Sequence, residues 1–196
     1  MDTKGYQIIL ASGSPRRKAF FEQMGIPFTQ KVIPVEEVFP NALSGVSIVE
    51  YLVKLKAQAF ESSIEDNQLV ITADTIVWHQ NQCLGKPADE HEAKQMLSQL
   101  SDSTHQVITA VGFLQKNKWE SLHCISEVRF KSISEKAITD YIETGSPMDK
   151  AGAYGIQDSF GMCHINSIQG SYTNIIGLPV AQVLEKIEEI LKNLKS

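Results

Sequence analysis

The sequence lacks long hydrophobic runs, paired cysteines, clustered histidines and an excess of basic charge. No apolar run approaches the ~20 residues that cross a bilayer, which argues against a membrane partner. At the N-terminus only Tyr6 to Ala11 is apolar. That is shorter than the ~7 to 15 residues of a secretory core, and two arginines follow it directly. The expectation is a soluble, cytoplasmic protein. Cys83, Cys124 and Cys163 are odd in number, far apart and outside any C-x-x-C pair, so neither a disulfide framework nor a thiolate zinc site is expected. His79, His91, His105, His123 and His164 are scattered, and Glu92 beside His91 has no second histidine a turn later, which excludes a zincin signature. The net charge of -5 is the wrong sign for a protein that lives on nucleic-acid phosphates.

What is present is a chain of 196 residues with 42% hydrophobic and 21% charged side chains, enough to bury a core as one globular domain over residues 1–196. Its charge is unevenly spread. Before residue 32 stand Lys4, Arg16, Arg17, Lys18 and Lys31 against only Asp2 and Glu22, while the remainder is acidic. One basic focus on an acidic body suits a small anion better than a long polyanion.

Tyr6 to Ala11 reads as a buried strand. Ser12-Gly13-Ser14-Pro15 turns it into a helix, with Ser14 as N-cap, Pro15 as first helical residue, Phe20, Phe21 and Met24 on the apolar face and Gly25 as the end. Ser47 to Phe60 repeats apolar residues at helical spacing, which makes Lys54 and Lys56 helix-borne. Leu69 to Trp78 is a β-rich run interrupted by Asp74 and Thr75, and Asn81-Gln82 turns it back into a short strand ending at Gly85-Lys86-Pro87. A helix over Ala88 to Leu100 follows, then paired strands Gln106 to Leu114 and Trp119 to Phe130, then a helix over Ser134 to Thr144 capped by Ser134. Gly145 to Gly177, rich in Gly, Ser, Asn and Tyr, reads as an active-site loop region. Pro179 to Leu194 is an amphipathic helix whose stripe packs on the sheet or receives a partner helix. There is no internal repeat or low-complexity tract, and the pattern is that of a mixed α/β unit.

Arg16 and Arg17 stand in a first helical turn, where the macrodipole favours anions over cations. Their placement makes sense if a bound anion is held there by Ser12, Ser14 and the two guanidinium forks; otherwise they are a solvated surface pair. Neither a P-loop nor a G-x-G-x-x-G fingerprint is present, so the cradle is of another kind. Asp74 lies inside an apolar strand, where an unpaired carboxylate costs several kcal/mol. It is either a core residue satisfied by backbone donors or a catalytic or metal-binding carboxylate, with Glu36 and Glu37 as further oxygen ligands suited to Mg²⁺ or Mn²⁺. Lys56 and Lys86 are candidates to face a polyphosphate, though nothing in the sequence prefers them to Lys54.

Ser12-Gly13-Ser14-Pro15-Arg16-Arg17, Ala73-Asp74-Thr75, Gly85-Lys86-Pro87, Asp149-Lys150-Ala151-Gly152-Ala153-Tyr154-Gly155-Ile156-Gln157, Gly170-Ser171-Tyr172 and Gly177-Leu178-Pro179 together resemble the Maf family of nucleoside triphosphate pyrophosphatases. The resemblance implies an α/β fold, a mixed twisted sheet flanked by helices in two lobes with a central cleft, similar to the inosine triphosphate pyrophosphatases. It implies hydrolysis of a nucleoside triphosphate to the monophosphate and pyrophosphate with a divalent metal cation, keeping non-standard nucleotides out of nucleic acids. Carried over by position, Asp74 matches the proton acceptor; Arg16, Thr75 and Gln157 match substrate-choice positions; Ser12, Arg17, Glu37, Lys56 and Lys86 match phosphate or metal contacts, with Glu37 and Asp74 on the metal. The Ala151 to Gln157 run looks like the branch acting on dTTP and UTP, and Asp158-Ser159-Phe160 departs from that branch's glycine-rich continuation. The family often forms dimers, so a homodimer is an expectation. It is also linked to arrest of septum formation, so a non-catalytic nucleotide-binding regulator of cell division is the competing expectation.

Overall fold

A computed structural model describes residues 2–193. Strand β1 (Gln7–Leu10) leads through Ser14, whose side chain accepts from the Arg17 N–H, into helix α1 (Pro15–Gln23). Pro15 sits at the start, where its missing N–H costs nothing. Next come strand β2 (Phe28–Gln30), helix α2 (Val46–Gln58), strands β3 (Gln68–His79) and β4 (Gln82–Leu84), helix α3 (Glu90–Leu100), strands β5 (Thr104–Gln115) and β6 (Lys118–Phe130), and helix α4 (Glu135–Glu143). The turn into β4 is Gln80-Asn81, both with positive φ, as a two-residue hairpin of the twisted kind requires; the sequence placed it one residue later. Asp89 and Ser134 cap α3 and α4 with their side chains.

Gly145 to Gly177 is not a plain loop. It holds two 3₁₀ turns (Ser146–Asp149 and Ala151–Ala153), helix α5 (Ser159–His164), strand β7 (Ile165–Gln169) and helix α6 (Tyr172–Ile176). These elements are too short to show a hydrophobic period, which is why composition alone reads them as loop. Helix α7 (Val180–Asn193) ends the description, and Leu194, the last residue of its expected stripe, lies outside the described residues.

The seven strands form one mixed sheet in the order β2-β1-β3-β5-β6-β7, with β4 on β3. β1 pairs parallel with both β2 and β3; β3–β4 and β6–β7 are antiparallel. The chain divides into two compact units, Met1–Asp74 with Thr109–Cys124 and Gly177–Ser196, and Thr75–Ile108 with Ile125–Ile176.

In the first unit the period of two sorts side chains onto two faces. Ile8 and Leu10 of β1 and Leu69, Ile71 and Ala73 of β3 join Phe21 of α1 and Val183, Ile187, Ile190 and Leu191 of α7 in one core. The stripe of α7 therefore packs on the sheet. Ile9, Ala11 and Val70 belong instead to the core that contains Ala57 of α2, Phe60 and Ile64. In the second unit Ala93, Met96, Leu97 and Leu100 of α3 pack with Ile138, Tyr141 and Ile142 of α4, Val128 and Phe130 of β6, and Tyr154 and Phe160. Gly152 there has φ +68°, and a Cβ on it would come within 2.8 Å of the Val77 side chain, so the Ala151–Ala153 turn tolerates only glycine at its centre. Among the described residues no helix is long and apolar enough to cross a membrane, and Cys124 and Cys163 are free thiols.

Candidate active site

The alternation that buries β3 also aims Asp74. Leu69, Ile71 and Ala73 point to the α1/α7 face, so Val70, Thr72 and Asp74 point to the α2 face, where the Thr72 hydroxyl donates to the Val53 carbonyl at 2.9 Å. Helix α2 buries Val49, Leu52, Val53 and Ala57, and Lys56, four residues after Leu52, falls on that same face in the last turn. A cation is favoured at that end of the helix dipole. Lys54 lies off this stripe and is exposed.

The Lys56 ammonium makes a short contact to Oδ1 of Asp74 and stands 3.0 Å from Oε2 of Glu37. The Lys56 and Asp74 side chains keep only 15% and 11% of their surface, whereas Glu37 is exposed. The cost of burying the Asp74 carboxylate is thus offset by a charge partner. Glu36 is exposed.

The turn between β1 and α1 lies in the same unit. Ser12 is buried, and its hydroxyl accepts from the Ser14 N–H at 3.3 Å and from Nη1 of Arg17 at 3.2 Å, while the Gln30 side-chain amide donates to the Ser12 carbonyl at 2.7 Å. Arg17 also donates from Nη1 to the Ala73 carbonyl at 3.0 Å and from Nε to the Gly177 carbonyl at 2.8 Å. One guanidinium therefore ties the turn, the residue before Asp74 and the start of the α7 segment together. Burial lowers its pKa from the ordinary arginine value; Asp74 opposes that, Arg16 adds to it and Glu37 opposes it again. An arginine stays charged through such shifts. Arg16 is half-buried next to it.

Ser12, Ser14, Arg17, Glu37, Lys56 and Asp74 are thus carried by one unit. Thr75, Lys86 and Gln157 belong to the other. Thr75 is half-buried in β3, and Lys86 and Gln157 are exposed. Lys86 follows Gly85, whose carbonyl accepts from the Gly152 N–H at 3.0 Å, so its segment is stitched to the turn that leads to Gln157. Two contributors escaped the sequence reading. Gln30 is a polar residue ending a three-residue strand, and the Gly177 carbonyl is a backbone group, so neither leaves a trace in residue type or spacing.

Among the described residues no three His, Cys, Asp or Glu side chains group as a full metal site would. Asp74 and Glu37 do converge on one cation, and two hard carboxylates fit Mg²⁺ or Mn²⁺, which keep waters or substrate phosphates as their remaining ligands.

The family model described as Maf-like protein matches residues 7–190. Two curated relatives named dTTP/UTP pyrophosphatase come from Flavobacterium johnsoniae, 46% identical over 96% of this chain and 97% of the relative, and from Flavobacterium psychrophilum, 48% identical over 90% and 91%. Among solved structures, a nucleoside-triphosphatase, dITP/XTP pyrophosphatase, from Mycobacterium abscessus is similar with a TM-score of 0.41 and 12% identity, covering 65% of this chain and 75% of that one.

Proposed function

Because the chain belongs to the Maf-like protein family, we propose that it is a nucleoside triphosphate pyrophosphatase that hydrolyses dTTP and UTP, and modified pyrimidine nucleotides of the same shape, to the monophosphate and pyrophosphate. The observation that carries this reading is a strand-borne carboxylate, Asp74, gripped by the Lys56 ammonium in the unit that also carries the Ser12 to Arg17 turn. The near full-length relatives named dTTP/UTP pyrophosphatase support it.

In this reading Asp74 takes a proton from water as the water oxygen bonds to the α phosphorus, and the α–β anhydride bond breaks to release pyrophosphate. Lys56 fixes Asp74 and Glu37 and adds positive charge for the triphosphate. Ser12, Ser14 and Arg17 take up phosphate oxygens, with Arg17 also bracing the turn, and Lys86 is a candidate phosphate contact carried by the other unit. Asp74 and Glu37 would hold a Mg²⁺ or Mn²⁺ ion, which when bound supplies charge neutralisation for the phosphates. Arg16, Thr75 and Gln157 bear on the choice of nucleotide. The Gln157 amide can accept from N3–H and donate to O4 of uracil or thymine. The free thiols of Cys124 and Cys163 are in keeping with a cytoplasmic enzyme. A non-catalytic regulator of division is not favoured, because the similar proteins carry enzyme names.

The test is incubation with UTP and Mg²⁺ or Mn²⁺, with products resolved by phosphorus NMR. UMP and pyrophosphate are expected. UDP with orthophosphate, or tight binding without turnover, overturns the reading.

A further inference from the structure

Gln157 stands exposed in a stretch whose neighbours are all held: Tyr154 and Ile156 are buried, and Gly155 and Asp158 are half-buried. The hold has a specific chemistry. Oδ2 of Asp158 accepts from the Tyr141 hydroxyl at 2.5 Å and from the Ser146 hydroxyl at 2.8 Å. Lys150 Nζ stands 3.6 Å from the same oxygen and donates to the Ser146 carbonyl and hydroxyl at 2.6 and 3.1 Å. The Tyr141 oxygen in turn accepts from the Gly155 N–H at 3.1 Å. One phenol on α4 therefore grips the chain two residues before Gln157 and, through Asp158, one residue after it.

The surroundings leave this grip little play. The Tyr141 ring stacks on Phe160 with centroids 4.3 Å apart, and a Cβ on Gly155 would come within 2.7 Å of the Asp158 carboxylate. Burial, followed by the hydrogen bond to Asp158, raises the Tyr141 pKa, so the phenol remains a neutral donor. On the other flank the Tyr154 hydroxyl shares a 2.7 Å hydrogen bond with Nε2 of His105.

A side-chain amide facing a pyrimidine has two poses. One presents oxygen to N3–H and nitrogen to O4 of uracil; the pose turned by half a rotation matches cytosine equally well. Selectivity therefore needs a loop stiff enough to make one pose the better. We propose that Tyr141, Ser146, Lys150 and Asp158 are positioning residues that lock the Gly152 to Gln157 segment and so set the preference of the Gln157 amide for uracil and thymine over cytosine. The inference rests on Gln157 reading the base.

The test compares kcat/KM for UTP and CTP. Tyr141→Phe removes one hydroxyl and keeps the stack on Phe160; it is expected to lower the UTP-to-CTP ratio about ten-fold, the size of discrimination that one misplaced polar contact supplies. Asp158→Asn, which still accepts from Tyr141, is expected to keep most of the ratio, and Asp158→Ala to lose it. Ser146→Ala is a second probe if Asp158→Ala does not fold. A ratio that survives Tyr141→Phe and Ser146→Ala unchanged, while Gln157→Ala collapses it, overturns the inference and leaves the base-reading role intact. A ratio that Gln157→Ala leaves unchanged overturns both.

Discussion

The Lys56 ammonium lies between Asp74 and Glu37, in direct contact with the first and 3.0 Å from the second. Asp74 lies in the middle of β3 and is the last residue of the first unit's share of it, and Lys56 is in the last turn of α2, so the pair joins a strand interior to a helix end. Its electrostatics cut two ways. The cation makes an otherwise costly carboxylate affordable, and it holds that carboxylate in a defined place.

Removing the cation alone leaves two carboxylates sharing one neighbourhood. Lys56→Met is expected to lose about 2 to 3 kcal/mol, toward the low end for breaking a buried pair because Glu37 stays solvated. It is also expected to lower kcat/KM at least 100-fold. Lys54→Met, from the exposed face, should leave both within error. Denaturant titration of both variants checks this, and in an Asp74→Asn background the Lys56→Met loss should shrink.

Arg17 carries a second expectation. Its fork reaches the Ser12 hydroxyl and the Ala73 and Gly177 carbonyls, a geometry that a lysine, a single point of charge, does not reproduce. Arg17→Lys should therefore lower the unfolding free energy by about 1 to 3 kcal/mol, the cost of leaving part-buried acceptors unmet. Lys18→Gln, on the exposed side of α1, should change stability by less than about 0.5 kcal/mol, as surface substitutions usually do. Equal melting temperatures for the two variants would remove the bracing role.

The acid side of the stability curve depends on His105. Burial, with a smaller push from His79, lowers its pKa from 6.5 to about 3. Below about pH 6.5 the unfolded chain gains a proton there that the folded chain refuses until about pH 3, so stability falls as pH falls through that window, by at most about 1.4 kcal/mol per pH unit. His105→Gln should flatten the decline between pH 6 and pH 4 in thermal melts. An unchanged slope would assign acid sensitivity to other groups.

Much of this was legible from residue order. Ser14 and Pro15 announce α1, the apolar run of β3 marks Asp74 as a buried carboxylate in need of a partner, and the α7 stripe finds the sheet. The choice of Lys56 over Lys54 was not legible, because both sit in one helical repeat and only the packed face of α2 separates them. Arg17 read as an anion ligand or a solvated surface residue, and its bracing role stayed hidden because its acceptors include backbone carbonyls far away in sequence. The Tyr141–Asp158 grip was hidden for a like reason: it lies in short elements without a period, and its strength comes from burial rather than from a motif.

As general base, Asp74 should be worth about 10² to 10⁴ in kcat, so Asp74→Asn should lose that much while remaining folded. Circular dichroism and single-turnover kinetics separate the two. A loss of only a few-fold would make Asp74 a structural partner of Lys56.

The most direct measurement follows the oxygen of water. Hydrolysis of UTP in ¹⁸O-enriched water, with products read by the isotope shift in phosphorus NMR, reports which phosphorus is attacked. Attack at the α phosphorus predicts one ¹⁸O in UMP and none in pyrophosphate. Label in the pyrophosphate, with UMP unlabelled, would contradict the mechanism built on Asp74.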